Sequence, residues 1–249
     1  MPWILFWLTM ITVYSFNSAD DRIFNGIQVN VKVSPYIVSV QLSGAHICGG
    51  SIISESVVLT AAHCFQKESN ANKYSIQYGV THIGGTENII RVSSFRRHPK
   101  FNDLSKDYDV GLLYLVAAIT AYRPIALAGY RPRIGTAALV SGWGVVEENG
   151  ELQTSLRAVT VHTVRQLDCS RKYKPVRITP RMLCAGEPFG GKDACIGDSG
   201  GPLVVDGVQV GIVSFGTGCG RREFPGVYTN VAMLRSWIRT YMMRKPGLY

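Results

Sequence analysis

The sequence predicts an all-β fold, antiparallel and closed by an amphipathic helix near its carboxy terminus. Three observations predict it. Short apolar runs bounded by turn residues recur along the chain, helical periodicity is nearly absent before residue 231, and one amphipathic stripe follows. The runs are YIVSVQL (36–42), SVVLT (56–60), VGLLYLV (110–116), AALVSGW (137–143) and VQVGIVSF (208–215). They are rich in residues that fit a pleated, half-buried surface. In VAMLRSWIRTYMM (231–243), Val231, Leu234, Trp237, Ile238 and Tyr241 fall at i, i+3, i+6, i+7 and i+10, one face of a helix. That face is expected to dock on its own domain, with a membrane-surface helix as the competing reading.

A chain of 249 residues can bury a full core, and all-β folds of this size often form one domain. Its 26 Lys and Arg against 17 Asp and Glu give a formal net charge of +9. The basic residues lie in scattered runs such as RRHPK (96–100) and RKYKPVR (171–177), without a nucleic-acid motif. No nucleic-acid partner is expected, and the charge is read as a solvated surface open to acidic partners. Residues 1–19, MPWILFWLTMITVYSFNSA, carry no charged side chain and are almost continuously apolar over 3–14. A membrane span needs about 20 apolar residues, so this segment reads as a secretory signal peptide, with an uncleaved anchor as the alternative. The expected location is extracellular, with no stable membrane association after signal removal.

Secretion sets the reading of the six cysteines, Cys48, Cys64, Cys169, Cys184, Cys195 and Cys219. An even count in an oxidising compartment implies disulfides, and six cysteines allow fifteen pairings. Zinc would want closely spaced Cys/His pairs, and no C-x₂₋₄-C occurs. Spacing alone leaves the pairing open.

Three segments carry chemistry together. LTAAHC (59–64) runs a strand into His63, DYDVGLLYL (107–115) sets Asp109 before an apolar strand, and GKDACIGDSGGP (191–202) centres on Ser199. A serine hydroxyl is a weak nucleophile that needs a base. Imidazole is the side chain suited to that task at neutral pH, and a buried carboxylate can fix its tautomer. Separately, His63 could be a structural histidine, Asp109 a turn cap and Ser199 a turn residue. Jointly they read as a nucleophile, a base and its orienting acid.

These motifs make the chain resemble the trypsin-like family of chymotrypsin-fold serine proteases. The resemblance extends through IFNG (23–26), RHPKF (97–101), DVGLL (109–113), SGWG (141–144), MLCAG (182–186) and PGVYTNV (225–231), in family order over residues 23–243. It implies two antiparallel six-stranded β-barrels, roughly 23–125 and 126–230, plus the helix at 231–243. It also implies that Ser199 attacks the scissile carbonyl, His63 is the base and Asp109 orients it. The backbone N–H groups of Gly197 and Ser199 would form the oxyanion hole, worth about 3–4 kcal/mol per donor. The implied disulfides are Cys48–Cys64, Cys169–Cys184 and Cys195–Cys219.

By the same resemblance, Asp198 would receive the amino group released when the chain is cut after Arg22, so that a zymogen with the short propeptide 20–22 matures to begin at Ile23. Asp193, six residues before Ser199, would lie at the base of the specificity pocket, with Gly216 and Gly226 keeping the slot open. Ser214 matches a backbone-docking position and Phe215 an aromatic wall. Ala194 stands where digestive trypsins commonly carry a serine, and Ile196 makes the pocket rim apolar. Glu87 is the one acidic residue in 69–102, so no calcium loop is expected. The expectation is a secreted, monomeric endopeptidase cleaving polypeptides after Arg, less well after Lys, without cofactor or metal, and subject to proteinaceous inhibitors. A catalytically silent binding homologue is the rival, and His63, Asp109 and Ser199 all speak against it.

Overall fold

The computed structural model describes residues 26–65, 68–147 and 150–244. The expected signal peptide, Arg22 and Ile23 lie outside the described residues. The first strands are β1 (Ile27–Gln28), β2 (Ile37–Leu42), β3 (Ala45–Ser54), β4 (Val57–Thr60), β5 (Tyr74–Tyr78), β6 (Ile89–Arg97) and β7 (Gly111–Leu115). After β8 (Ala126–Leu127) come β9 (Ala137–Gly142), β10 (Arg157–Val164) and helix α1 (Gln166–Lys172). The chain continues through β11 (Met182–Gly186), β12 (Pro202–Val205), β13 (Val208–Phe215), β14 (Gly226–Asn230) and helix α2 (Val231–Met242).

Strands β2-β3-β4-β7-β6-β5 close into a barrel, each neighbouring pair antiparallel. A second barrel closes in the order β9-β10-β11-β14-β13-β12, because β9 pairs with both β10 and β12. Strand β1 lies along β10, and β8 runs parallel to β13. The fold is two closed six-stranded antiparallel barrels with a carboxy-terminal helix, as the resemblance implied. Closure leaves the barrel strands without an unpaired edge, which removes the main aggregation hazard of a β protein.

The predicted runs form the two cores. Val38, Val40, Val58, Leu59, Leu112 and Leu113 are buried in the first, and Ala138, Val140, Val210 and Val213 in the second. Helix α2 follows the last strand of the second barrel, yet its Val231, Leu234 and Ile238 belong to the core of the first. Trp237 and Tyr241 of the same stripe are partly buried against that core. The Tyr114 hydroxyl donates to the Tyr241 carbonyl at 2.8 Å, and the Arg96 guanidinium covers the Tyr241 ring at 4.4 Å.

Helix α1 departs from the sequence expectation. Seven residues are too few for a periodic stripe, and a helix this short is marginal unless tertiary contacts hold it. Its buried residue is Cys169, bonded to Cys184 in β11. The other disulfides are Cys48–Cys64 and Cys195–Cys219. The packing of α2 generates a stability prediction. Ile238→Ala should cost about 2–5 kcal/mol in denaturant unfolding, the range for a buried large-to-small change. A loss within a few tenths of a kcal/mol would show that α2 is not part of the core.

Candidate active site

Strand β4 ends at Thr60, and His63 sits in the 3₁₀ turn Ala62–Phe65 that follows. The Cys48–Cys64 bond fixes that turn to β3. Asp109 lies two residues before β7 and is wholly buried. Its Oδ1 accepts from the His63 backbone N–H at 2.9 Å, and its Oδ2 from His63 Nδ1 at 2.7 Å and Ser214 Oγ at 2.6 Å. Thr229 Oγ1 donates to the Asp109 carbonyl at 2.7 Å. The first barrel thus supplies His63 and Asp109, while β13 and β14 of the second lend two hydroxyls. A carboxylate facing Nδ1 keeps the ring proton there, which leaves Nε2 as the proton acceptor.

Ser199 lies in the loop between β11 and β12. Its carbonyl accepts from Gly49 N at 2.8 Å and lies 3.9 Å from Cys64 Sγ, beside His63. Ser199 Oγ and His63 Nε2 are not hydrogen-bonded, a contact that commonly tightens only when substrate binds. Gly197 has φ +96°, in the left-handed region that a side chain disfavours. The Gly197 carbonyl accepts from His46 Nε2 at 3.0 Å, and His46 Nδ1 accepts from Ser39 Oγ at 2.8 Å. Burial pushes the His46 imidazole below its ordinary range, against the opposing pull of the Gly197 carbonyl.

A cavity of about 490 Å³ opens beside Ser199, lined by Asp193, Ala194, Ser214, Phe215, Gly216 and Gly226 among others. Asp193 is almost fully buried. Its Oδ1 accepts from Ala194 N at 2.8 Å and its Oδ2 from Gly220 N at 3.2 Å. Burial pushes this carboxyl up to about 7, with the charge of Asp198 adding to the push and the two N–H groups opposing it. A Cβ at position 226 would come within 2.5 Å of Asp193 Oδ1, so only glycine leaves the carboxylate reachable. The Phe215 ring meets Tyr173 edge-on at 5.8 Å, and the Tyr173 hydroxyl donates to the Pro225 carbonyl at 2.8 Å. Ile196 is exposed at the mouth. A slot ending in one carboxylate has the chemistry to take an extended cation.

Asp198 is fully buried. Its oxygens accept from Gly144 N at 2.8 Å and Cys195 N at 2.9 Å. A Cβ at Gly142 or Gly144 would lie 2.0 or 2.5 Å from that carboxylate, so the SGWG segment makes room for it. Burial pushes the carboxyl up to about 6, more than the two N–H bonds lower it. Among the described residues, the cluster compact enough to hold a metal is Cys48, His63 and Cys64. Its two sulfurs are bonded to each other and offer no thiolate. The hydroxyl role of Ser214 and the roles of Thr229, Tyr173 and His46 were not visible in the sequence. Ser214 sits inside the predicted run 208–215 and Thr229 inside PGVYTNV (225–231), where nothing in pattern distinguishes a hydroxyl that reaches the other barrel.

The Trypsin family profile matches residues 23–238. A vitellin-degrading protease of Bombyx mori is 41% identical over 225 residues, covering 88% of this chain and 85% of the relative. Trypsin 5G1 of Aedes aegypti is 39% identical over 228 residues, covering 89% and 85%. Hypodermin-B of Hypoderma lineatum is 41% identical over 225 residues, covering 88% and 87%. With that match spread over nearly the whole described fold, the chain belongs to the trypsin family of serine endopeptidases.

Proposed function

We propose that the protein is a secreted endopeptidase, made as a zymogen with signal peptide 1–19 and propeptide 20–22, that cleaves polypeptides after Arg and less well after Lys. The observation that carries this reading is the hydrogen bond from His63 to the buried Asp109, beside Ser199 and the slot ending in Asp193. In this mechanism His63 Nε2 takes the Ser199 proton as Oγ attacks the scissile carbonyl carbon. The negative charge that forms on the carbonyl oxygen is met by the Gly197 and Ser199 N–H groups. His63 then gives the proton to the departing amine, and water releases the acyl group by the same steps in reverse order. The mature domain, 23–249, acts as a monomer and meets proteinaceous inhibitors at the same cleft.

Activation follows from Asp198. A fully buried carboxylate held by two N–H groups and no cation among the described residues is costly to ionise. The ammonium freed at Ile23 by cleavage after Arg22 would pair with it. A buried acid whose folded pKa is raised contributes stability that is present below its unfolded pKa and lost as pH rises through the folded one. The window runs from about pH 4, the ordinary aspartate value, to about 6.

Three predictions test this reading. An organophosphonate should label Ser199, and Ser199→Ala should lower kcat by about 10⁶-fold; near-normal hydrolysis by that variant refutes the mechanism. In the uncleaved Ser199→Ala protein, Asp198 should cost up to roughly 3 kcal/mol of unfolding free energy between pH 4 and pH 7, at about 1.36 kcal/mol per pKa unit. Asp193 adds a loss in the same direction, and Asp198→Asn should remove the Asp198 share and trim that of Asp193, whose carboxyl the Asp198 charge helps push up. Cleavage after Arg22 should stabilise the protein at pH 7 far more than at pH 4. A cleavage effect equal at both pH values would exclude the ion pair. On specificity, Arg meets Asp193 with a planar fork, whereas the shorter Lys ammonium finds no hydroxyl at Ala194. Matched peptides should be cut after Arg at least about tenfold faster than after Lys in kcat/KM, and Ala194→Ser should narrow the gap. Equal rates that Ala194→Ser leaves unchanged would show that the slot is not read this way.

A further inference from the structure

The three residues before Asp109 are held in an unusual way. Lys106 and Tyr108 have φ of +55° and +58°, left-handed conformations that a side chain disfavours and that persist only where the surroundings impose them. Between them, Asp107 reaches across to the second barrel. Its Oδ1 accepts from Thr179 Oγ1 at 2.9 Å, from Arg181 Nε at 2.9 Å and from Tyr108 N at 3.0 Å, and its Oδ2 accepts from Arg181 Nη2 at 2.6 Å. The same guanidinium lies 4.4 Å over the Tyr108 ring, which also stacks on His98 at 4.5 Å. Both side chains of the pair are mostly shielded, Asp107 at 16% exposure and Arg181 at 26%. The fork therefore grips both the side chain of Asp107 and the ring of Tyr108.

The grip is tied to Asp109 on each side. Val110 N donates to the Tyr108 carbonyl at 2.8 Å, so the chain turns tightly around Asp109 itself. The Arg181 carbonyl accepts from Asn230 N at 2.8 Å, one residue from the Thr229 whose hydroxyl holds the Asp109 carbonyl. We propose that the Asp107–Arg181 pair is a positioning device for Asp109, by which the second barrel clamps the left-handed turn that aims the Asp109 carboxylate at His63. The proposal rests on reading His63, Asp109 and Ser199 as the triad. The charged and titratable groups around the pair are Lys100 and His98 on the segment before the turn and Tyr108 within it. Burial pushes the Asp107 carboxyl up, but its hydrogen bonds to Arg181 and Thr179 outweigh this and hold it below the usual range, so the clamp stays ionised at neutral pH.

A purely structural tie would change stability and leave the chemistry alone, so the test reads the chemistry. The activated full chain is assayed on a small Arg amide as wild type, Arg181→Met, Asp107→Asn, the double variant and Arg181→Lys. Arg181→Met and Asp107→Asn should each lower kcat by about tenfold with KM within about twofold, since the lost contact matters in the transition state. The acid limb of kcat/KM should move to lower pH, because a carboxylate turned away from the imidazole stabilises its protonated form less. The double variant should lose no more than either single change, and Arg181→Lys should recover part of the rate. If Arg181→Met does not fold, Thr179→Val removes one donor and should show the same limb displacement with a loss of about two- to threefold. An active wild type whose variants fall in Tm but keep kcat and the acid limb overturns the clamp alone. A wild type that neither hydrolyses the amide nor reacts with an organophosphonate at Ser199 overturns the triad and the clamp with it.

Discussion

The structure depends on keeping one carboxylate out of water. Asp109 is wholly buried, and an isolated charge there would cost several kcal/mol. The first barrel offers it two donors, both from His63, and the second offers the Ser214 hydroxyl. Neither barrel alone completes the set. Docking of the barrels, orientation of the imidazole and burial of the acid are therefore one event. The cleft between the barrels is where a polar network can be both dry and satisfied, and Ser199 lies beside it.

Two further buried aspartates precede Ser199 in sequence, and each is solved differently. Asp193 has two backbone donors and an open slot, so the cation proposed for it arrives from outside. Asp198 also has two backbone donors but is sealed beneath Gly142 and Gly144. Its proposed cation comes from the chain itself. The Asp198 charge raises the cost of ionising Asp193, which it helps push upward. Neutralising the sealed one should ease ionisation of the open one through plain electrostatics.

Much of this was legible in the sequence because the signals were local. The runs at 36–42, 110–116 and 208–215 alternate or saturate with apolar residues, and β2, β7 and β13 lie within them. The GKDACIGDSGGP stretch places Asp193, Asp198 and Ser199 on one loop, so a short string carries most of the candidate site. Helix α1 was not legible, since seven residues held by a disulfide leave no periodic trace. The cross-barrel hydroxyls of Ser214 and Thr229, and the reach of Asp107 to Arg181, depend on residues 74 to 120 positions apart. Such contacts have no one-dimensional signature, because only closure of both barrels brings them together.

Helix α2 has a consequence for how the chain is made. Proteins emerge from the ribosome amino terminus first, and domains generally fold in that order. Here the first barrel lacks Val231, Leu234 and Ile238 until the strands of both barrels have been synthesised. Val204 and Ile212 of the second barrel belong to the same core and arrive late as well. An early, independently stable first barrel is thereby disfavoured, and a truncated product would expose an unfinished apolar face. Helix α2 thus makes the first barrel's core depend on the segment that follows the second barrel.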